Sequence, residues 1–247
     1  MGNKQKILIS QQTPNNTAAY AALKEKYGVE IEFRPFYLIE PLSSREFRAQ
    51  RVNIPDFTAI TFSSRHAIDA FFKLCDELRI KVPETMKYFC TTEAVAMYLQ
   101  KHIVFRKRKI FFGTGTADSL LAQIGAKHQQ ENFLITTSAS SKGESFSRLF
   151  TERGLKFTSA AVIKSVSQDL KGIDLASYDV IVLHNSADVK ALKDNYPDFT
   201  QGDLKFISYG RSIVKAMEDA GLKAVIQAPT PDVPSVARAI EEYLKKK

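Results

Sequence analysis

The sequence holds few of the residues that build metal centres or disulfide frameworks. Of its 247 residues, two are cysteine and four are histidine. Cys75 falls in a helical stretch and Cys90 in a strand-like one, which argues against a disulfide scaffold. His66, His102, His128 and His184 stand at no metal-ligand spacing with one another or with cysteine. His184-Asn-Ser186-Ala-Asp188 has the residue types of a hydrolase triad, but groups this close in sequence do not arrange as nucleophile, base and orienter. No pair of carboxylates suggests acid–base catalysis. No apolar run approaches the roughly 20 residues of a membrane helix. The opening Met1-Gly-Asn-Lys-Gln-Lys6 lacks the apolar core of a signal peptide, and Lys6 stands where a myristoylation motif wants Ser or Thr. The expected location is the cytoplasm, with no membrane partner. Gly113-Thr-Gly115-Thr-Ala-Asp118 begins like a dinucleotide fingerprint, yet Asp118 occupies the place of the third glycine. A tight strand-to-helix turn is the better reading, and no Walker sequence occurs.

What the chain has is positive charge. Its net charge is +8, with 44% hydrophobic and 25% charged residues, the profile of a soluble globular protein whose positive charge serves either solubility alone or association with an anion. Nucleic acid is disfavoured, because there is no recognition motif and no stripe of alternating aromatics and arginines. A small molecule with many carboxylates fits better.

The chain is organised around Asp56–Phe72. A short apolar run, Phe57 to Phe62, has the length and β-branched content of a buried strand. Ser63 and Ser64 are good helix caps. Ala67, Ile68, Phe71 and Phe72 then recur at helical spacing. Backbone N–H groups at such a helix start favour an anion, and the Arg65 guanidinium matches a carboxylate. Tyr178–Leu192 repeats this design around Ser186. Three further pairs match in the same order: 6–27 with 132–153, 87–99 with 205–217, and 108–124 with 224–240. The chain reads as a duplicated block of four βα units.

A helix after the first strand stops at Gly28, and another stops at Gly154. Extended stretches follow both. If the chain crosses between domains at 37–41 and returns at 161–166, one domain is continuous (42–160). The other is then split (1–36 plus 167–247). Ligands of parallel α/β sheets bind outside the carboxyl ends of the strands. If the domains face each other along that edge, the polar turns converge on one cleft. The residues there would be Ser63, Ser64, Arg65, Thr91, Thr92, the stretch Thr136–Lys142 with Ser138 and Lys142, Asn185, Ser186, Gly210, Arg211 and Ser212. Arg65 and Arg211 each stand beside a hydroxyl in a first helical turn, where the helix dipole disfavours a cation unless it meets an anion.

These residues resemble a known family. Ile60-Thr-Phe-Ser-Ser-Arg-His-Ala-Ile68 is similar to the threonine/serine-serine-arginine-asparagine-alanine-valine motif of uroporphyrinogen-III synthases. Ser186 resembles that family's serine turn. Ile207-Ser-Tyr-Gly210, a helix to Gly221, and Ala228-Pro-Thr-Pro231 with a last helix resemble its C-terminal signature. The likeness runs over nearly the whole chain, and its specificity lies in the order of short motifs.

The resemblance implies an α/β fold of two similar flavodoxin-like domains, each a parallel sheet flanked by helices, joined by two extended connectors. It implies a cofactor-independent cyclising hydro-lyase of haem biosynthesis, acting as a monomer. Its substrate, hydroxymethylbilane, would lose water, close through a spiro intermediate with inversion of ring D, and give uroporphyrinogen III. Arg65, Arg211 and Lys142 would neutralise some of its eight carboxylates. Ser63, Ser64, Thr91, Thr92, Ser138, Ser186, Ser212 and the turn at Gly210 would position it. The family tyrosine that assists hydroxyl departure lies in the returning connector, where this chain has Val162-Ile163-Lys164. Tyr37, in the other connector, is the candidate substitute. The family's glycine-proline-threonine-threonine turn is here Gly210-Arg211-Ser212-Ile213. The alternative reading is a non-catalytic intracellular two-domain binding protein for an anionic small molecule.

Overall fold

A computed structural model describes residues 4–140, 144–210 and 213–246. The chain begins with β1 (Lys6–Ile9), α1 (Ala18–Tyr27), β2 (Glu30–Phe33), β3 (Tyr37–Pro41) and α2 (Ser44–Ala49). Next come β4 (Ala59–Phe62), α3 (Arg65–Glu77), β5 (Lys87–Cys90), α4 (Glu93–Tyr98), β6 (Ile110–Phe112) and α5 (Ala117–Ile124). The alternation continues through β7 (Asn132–Ser138), α6 (Glu144–Glu152), β8 (Lys156–Ser167), β9 (Val180–Leu183) and α7 (Ser186–Asn195). It ends with β10 (Lys205–Tyr209), α8 (Ile213–Asp219), β11 (Ala224–Ala228) and α9 (Val236–Lys245). The chain divides into two compact units, Met1–Leu38 with Val166–Lys247, and Ile39–Ser165.

The first unit holds a five-stranded sheet in the order β2-β1-β9-β10-β11, with every pair parallel. Parallel strands covered on both faces are apolar at every position. Ile7, Leu8, Ile9 and all of Val180–Leu183 are accordingly buried. Alternation sends Ile7, Ile9, Val180, Val182 and Ile207 to one face, against Leu23 of α1 and Val236, Ile240 and Tyr243 of α9. Leu8, Ile181, Leu183 and Phe206 go to the other face, against Val189 and Leu192 of α7 and Ile213 and Met217 of α8. Each such aliphatic side chain, once buried, stabilises the unit by about 1.5–3 kcal/mol.

The second unit holds a six-stranded sheet in the order β3-β8-β7-β4-β5-β6, parallel from β8 through β6. Ile60, Phe62, Tyr88 and Cys90 pack on Ala67, Ile68, Phe71 and Leu74 of α3. Ala59, Phe89, Phe133 and Ile135 pack on Leu120, Leu121 and Ile124 of α5 and on Phe150 of α6. Cys75 and Cys90 are both buried free thiols, which burial pushes up to about 12. The short helix α2 is a feature the apolar spacing does not predict. A capping box starts it: the Ser43 hydroxyl accepts from the Glu46 N–H, and the Glu46 carboxylate accepts from the Ser43 N–H. Among the described residues, no helix is long and apolar enough to cross a membrane.

Candidate functional site

In both units the chain leaves the carboxyl end of a strand through a polar turn and enters a helix. Ser64, Thr92, Thr116, Asn185 and Ser235 cap the helices after β4, β5, β6, β9 and β11. Each side-chain oxygen accepts a hydrogen bond from an N–H of its own first helical turn, which has no partner within the helix.

In the second unit, adjacent strands bring Ser63, Ser64, Arg65, Thr91 and Thr92 together. Ser64 Oγ accepts from the Ala67 N–H at 3.2 Å, and Thr92 Oγ1 from the Val95 N–H at 3.3 Å. Thr91 is buried; its hydroxyl donates to the Ser63 carbonyl at 3.3 Å and its N–H to the Phe62 carbonyl at 3.0 Å. These three side chains are therefore committed to the turns themselves. Ser63 and Arg65 are exposed, and the Arg65 guanidinium lies 5.4 Å from the centroid of the Tyr98 ring. Ser138, at the end of β7, accepts from the Ser140 N–H at 3.3 Å. Ile163 pairs with Ser138 and is buried in the core. Lys164 ion-pairs with Glu46 at 2.8 Å. Lys142 lies outside the described residues.

In the first unit, a buried polar network supports the turn after β9. Asp188 is fully buried in the first turn of α7. Its Oδ2 accepts from the Ser10 hydroxyl at 2.8 Å and from the N–H groups of His184 at 2.7 Å and Asn185 at 3.3 Å. Burial nevertheless raises its pKa to about 6, against the lowering effect of those bonds. His184 Nδ1 stands 3.1 Å from Ser10 Oγ, and burial lowers this imidazole to about 4. The Ser10 proton already points at the carboxylate, so the neutral imidazole donates Nδ1–H to Ser10 rather than taking a proton from it. Serine, histidine and aspartate thus meet as a structural bracket and not as a nucleophilic triad. Gly210 closes the same corner. Its N–H donates to the Ala228 carbonyl at 2.6 Å, its φ is +142°, and a Cβ there would stand 2.8 Å from the His184 carbonyl oxygen. Only glycine fits without displacing that backbone.

Ser186, the first residue of α7, is exposed. Next to it, Asn185 Nδ2 donates to the Tyr37 hydroxyl at 2.7 Å. Tyr37 is half-buried, which raises its pKa, an effect the Asn185 bond opposes. Arg211 and Ser212 lie outside the described residues. The sequence-predicted residues accordingly form two groups, one on the strand ends of each unit. Ser10 is not among them, because it meets Asp188 only through the pairing of β1 with β9. The remaining histidines with described partners are structural: His102 meets Asp69 at 2.7 Å, and His128 is buried against Phe89 and Phe111. Among the described residues, no group of three or more His, Cys, Asp or Glu is placed to hold a metal ion.

Parallel sheets flanked by helices, with polar turns along the strand ends, define an α/β protein of the kind that receives ligands at that edge. The family model described as uroporphyrinogen-III synthase HemD matches residues 18–238, and the chain belongs to that family. Solved structures share the fold. A mutant uroporphyrinogen III synthase from Thermus thermophilus aligns with a TM-score of 0.56 at 15% identity, over 98% of this chain and 100% of that one. The uroporphyrinogen-III synthetase from Helicobacter pylori 26695 aligns with a TM-score of 0.60, also at 15% identity, over 98% of this chain and 100% of that one. Among curated protein sequences, none matches.

Proposed function

We propose that the protein is a uroporphyrinogen-III synthase, which cyclises hydroxymethylbilane to uroporphyrinogen III with inversion of ring D and loss of water. The observation that carries this reading is the family match from residue 18 to 238. Substrate and product differ by one water, with no change of oxidation level, so the reaction asks for positioning and a proton donor rather than a redox cofactor. Arg65, Arg211 and Lys142 neutralise carboxylates. Ser63, Ser64, Thr92, Ser138, Ser186, Ser212 and the Gly210 turn, through hydroxyls and backbone N–H groups, receive the rest, while Thr91, with its hydroxyl and N–H both engaged, holds the turn in shape. Where a hydroxyl already caps a helix, as at Ser64 and Thr92, the N–H groups of the first helical turn that the cap leaves unpaired do this work. Tyr37 is the proton donor. The protein works as a monomer in the cytoplasm.

The same reading makes the two units related flavodoxin-like domains, 1–36 plus 167–247 and 42–160, with 37–41 and 161–166 as connectors. Their strand orders support it. Numbered within its unit, β2-β1-β9-β10-β11 is the 2-1-3-4-5 order of flavodoxin-like sheets. The sequence-matched partners β8-β7-β4-β5-β6 follow one another in the same way in the second sheet.

An isomer assay tests the function. Hydroxymethylbilane is generated in place, the products are oxidised, and type I and type III uroporphyrin are separated. Uncatalysed closure gives type I. Predominant type III is the expected result, and type I alone from folded protein would reduce the function to anion binding.

A further inference from the structure

Asn185 has both ends of its side-chain amide engaged. Its Oδ1 accepts from the N–H of Ala187 at 2.8 Å and of Asp188 at 3.3 Å, which caps α7. Those two donors settle which end of the amide faces the backbone and which faces away. The outward end is the NH2 group, and it lies 2.7 Å from the Tyr37 hydroxyl. An amide nitrogen has no lone pair to offer, so Tyr37 is the acceptor in this bond. The phenol keeps its own hydrogen, and that hydrogen points away from Asn185. Tyr37 is the first residue of β3 and Asn185 lies at the exit of β9, so the pair joins two segments 148 residues apart.

We infer that Asn185 is a positioning residue for proton transfer, holding Tyr37 as a donor toward the substrate and stabilising the phenolate once the proton has gone. The inference rests on the reading that Tyr37 is the proton donor. In the step, the Tyr37 O–H gives its proton to the hydroxymethyl oxygen. The carbon–oxygen bond breaks, its electron pair leaves with water, and the pyrrole carries the positive charge. Ring D forms a carbon–carbon bond at its substituted carbon to give the spiro intermediate. Its old bond to the neighbouring methylene breaks and re-forms at the ring's free carbon, and aromatisation there releases one proton, which returns to the phenolate. A neutral donor facing the phenol oxygen favours each phenolate stage, and a charged acceptor there reverses the effect.

Asn185→Asp separates this role from the structural one. Aspartate caps a helix as well as asparagine, so α7 keeps its start. Its outward oxygen, however, can only accept, and it draws the Tyr37 proton to itself. The expected result is an unchanged melting temperature and KM, with kcat lower by about tenfold to a hundredfold. Tyr37→Phe is expected to lower kcat by about a hundredfold. The double variant is expected to be no slower than Tyr37→Phe alone, since Asn185 acts through the phenol. Undiminished kcat in Asn185→Asp, beside a slow Tyr37→Phe, overturns the role of Asn185 and leaves Tyr37 standing. Multiplying losses in the double variant overturn it too. Full activity in Tyr37→Phe overturns the reading of Tyr37, and with it this inference. If Asn185→Asp melts early, Asn185→Ser decides in the same way, because serine also caps but is too short to reach Tyr37.

Discussion

Asp188 and His184 carry opposite titrations side by side in one buried corner. Burial lowers His184 from 6.5 to about 4, so the native state holds it neutral. Its stabilising contribution is present above about pH 6.5 and is lost as the pH falls through about 4. Burial raises Asp188 from 3.8 to about 6. That contribution is present below about pH 4 and is lost as the pH rises through about 6. Between these limits the two oppose each other. Asp188→Asn removes the offset, and its urea midpoint is expected to fall more steeply than the parent's from pH about 6.5 to about 4. His184→Gln is expected to flatten or reverse that slope. Slopes that change in the same direction in both variants would contradict the assignment. Arg65 presents a simpler case. It is exposed, its guanidinium rests over Tyr98, and no carboxylate within the described residues pairs with it. Arg65→Ala is expected to leave thermal stability unchanged and to weaken binding of uroporphyrinogen III about tenfold, as loss of a charged hydrogen bond does. Calorimetric titration reads this directly.

Among the elements, the turns on the proposed reading do two jobs with different atoms. Ser64 gives its side chain to the cap of α3 and leaves the turn's remaining N–H groups for an anion. Ser64→Ala is expected to cost about 1 kcal/mol of stability, seen as a lower urea midpoint. A loss of activity without that destabilisation would mean that the hydroxyl itself meets substrate. Much of the element order is readable from local pattern. The apolar runs of β1, β4 and β9 announce strands, and Gly28, left-handed at φ +65°, ends α1 where the sequence predicts. The helix α2 escapes apolar spacing, because six residues are too few to display a period. Its Ser43-x-x-Glu46 box is the signal available.

For the whole molecule, the relevant quantity is the net charge of +8 against the polycarboxylate substrate proposed above. Attraction between exposed charges is screened over about 8–10 Å at physiological salt. KM is therefore expected to rise with ionic strength while kcat holds steady, because proton transfer happens in contact. Steady-state rates over a salt series, scored as type III product, check this. A KM indifferent to salt would mean that the cationic groups do not meet the substrate.

The class of the fold and the family are legible in the order of residues. Alternating apolar runs and capped helices need only local rules, and the Ile60–Ile68 motif is contiguous. The same order marks the turns at Ser63–Arg65, Ser186 and Gly210 as candidate anion receivers. Which polar atoms remain free is settled only when the chain folds. The Thr91 hydroxyl is consumed by Ser63, Ser10 is bound to Asp188, and Asn185 reaches Tyr37. These partners stand 28, 178 and 148 residues apart. Local pattern holds no information about which strands lie side by side, and it is the pairing of parallel strands in a sheet that brings such residues within hydrogen-bonding distance.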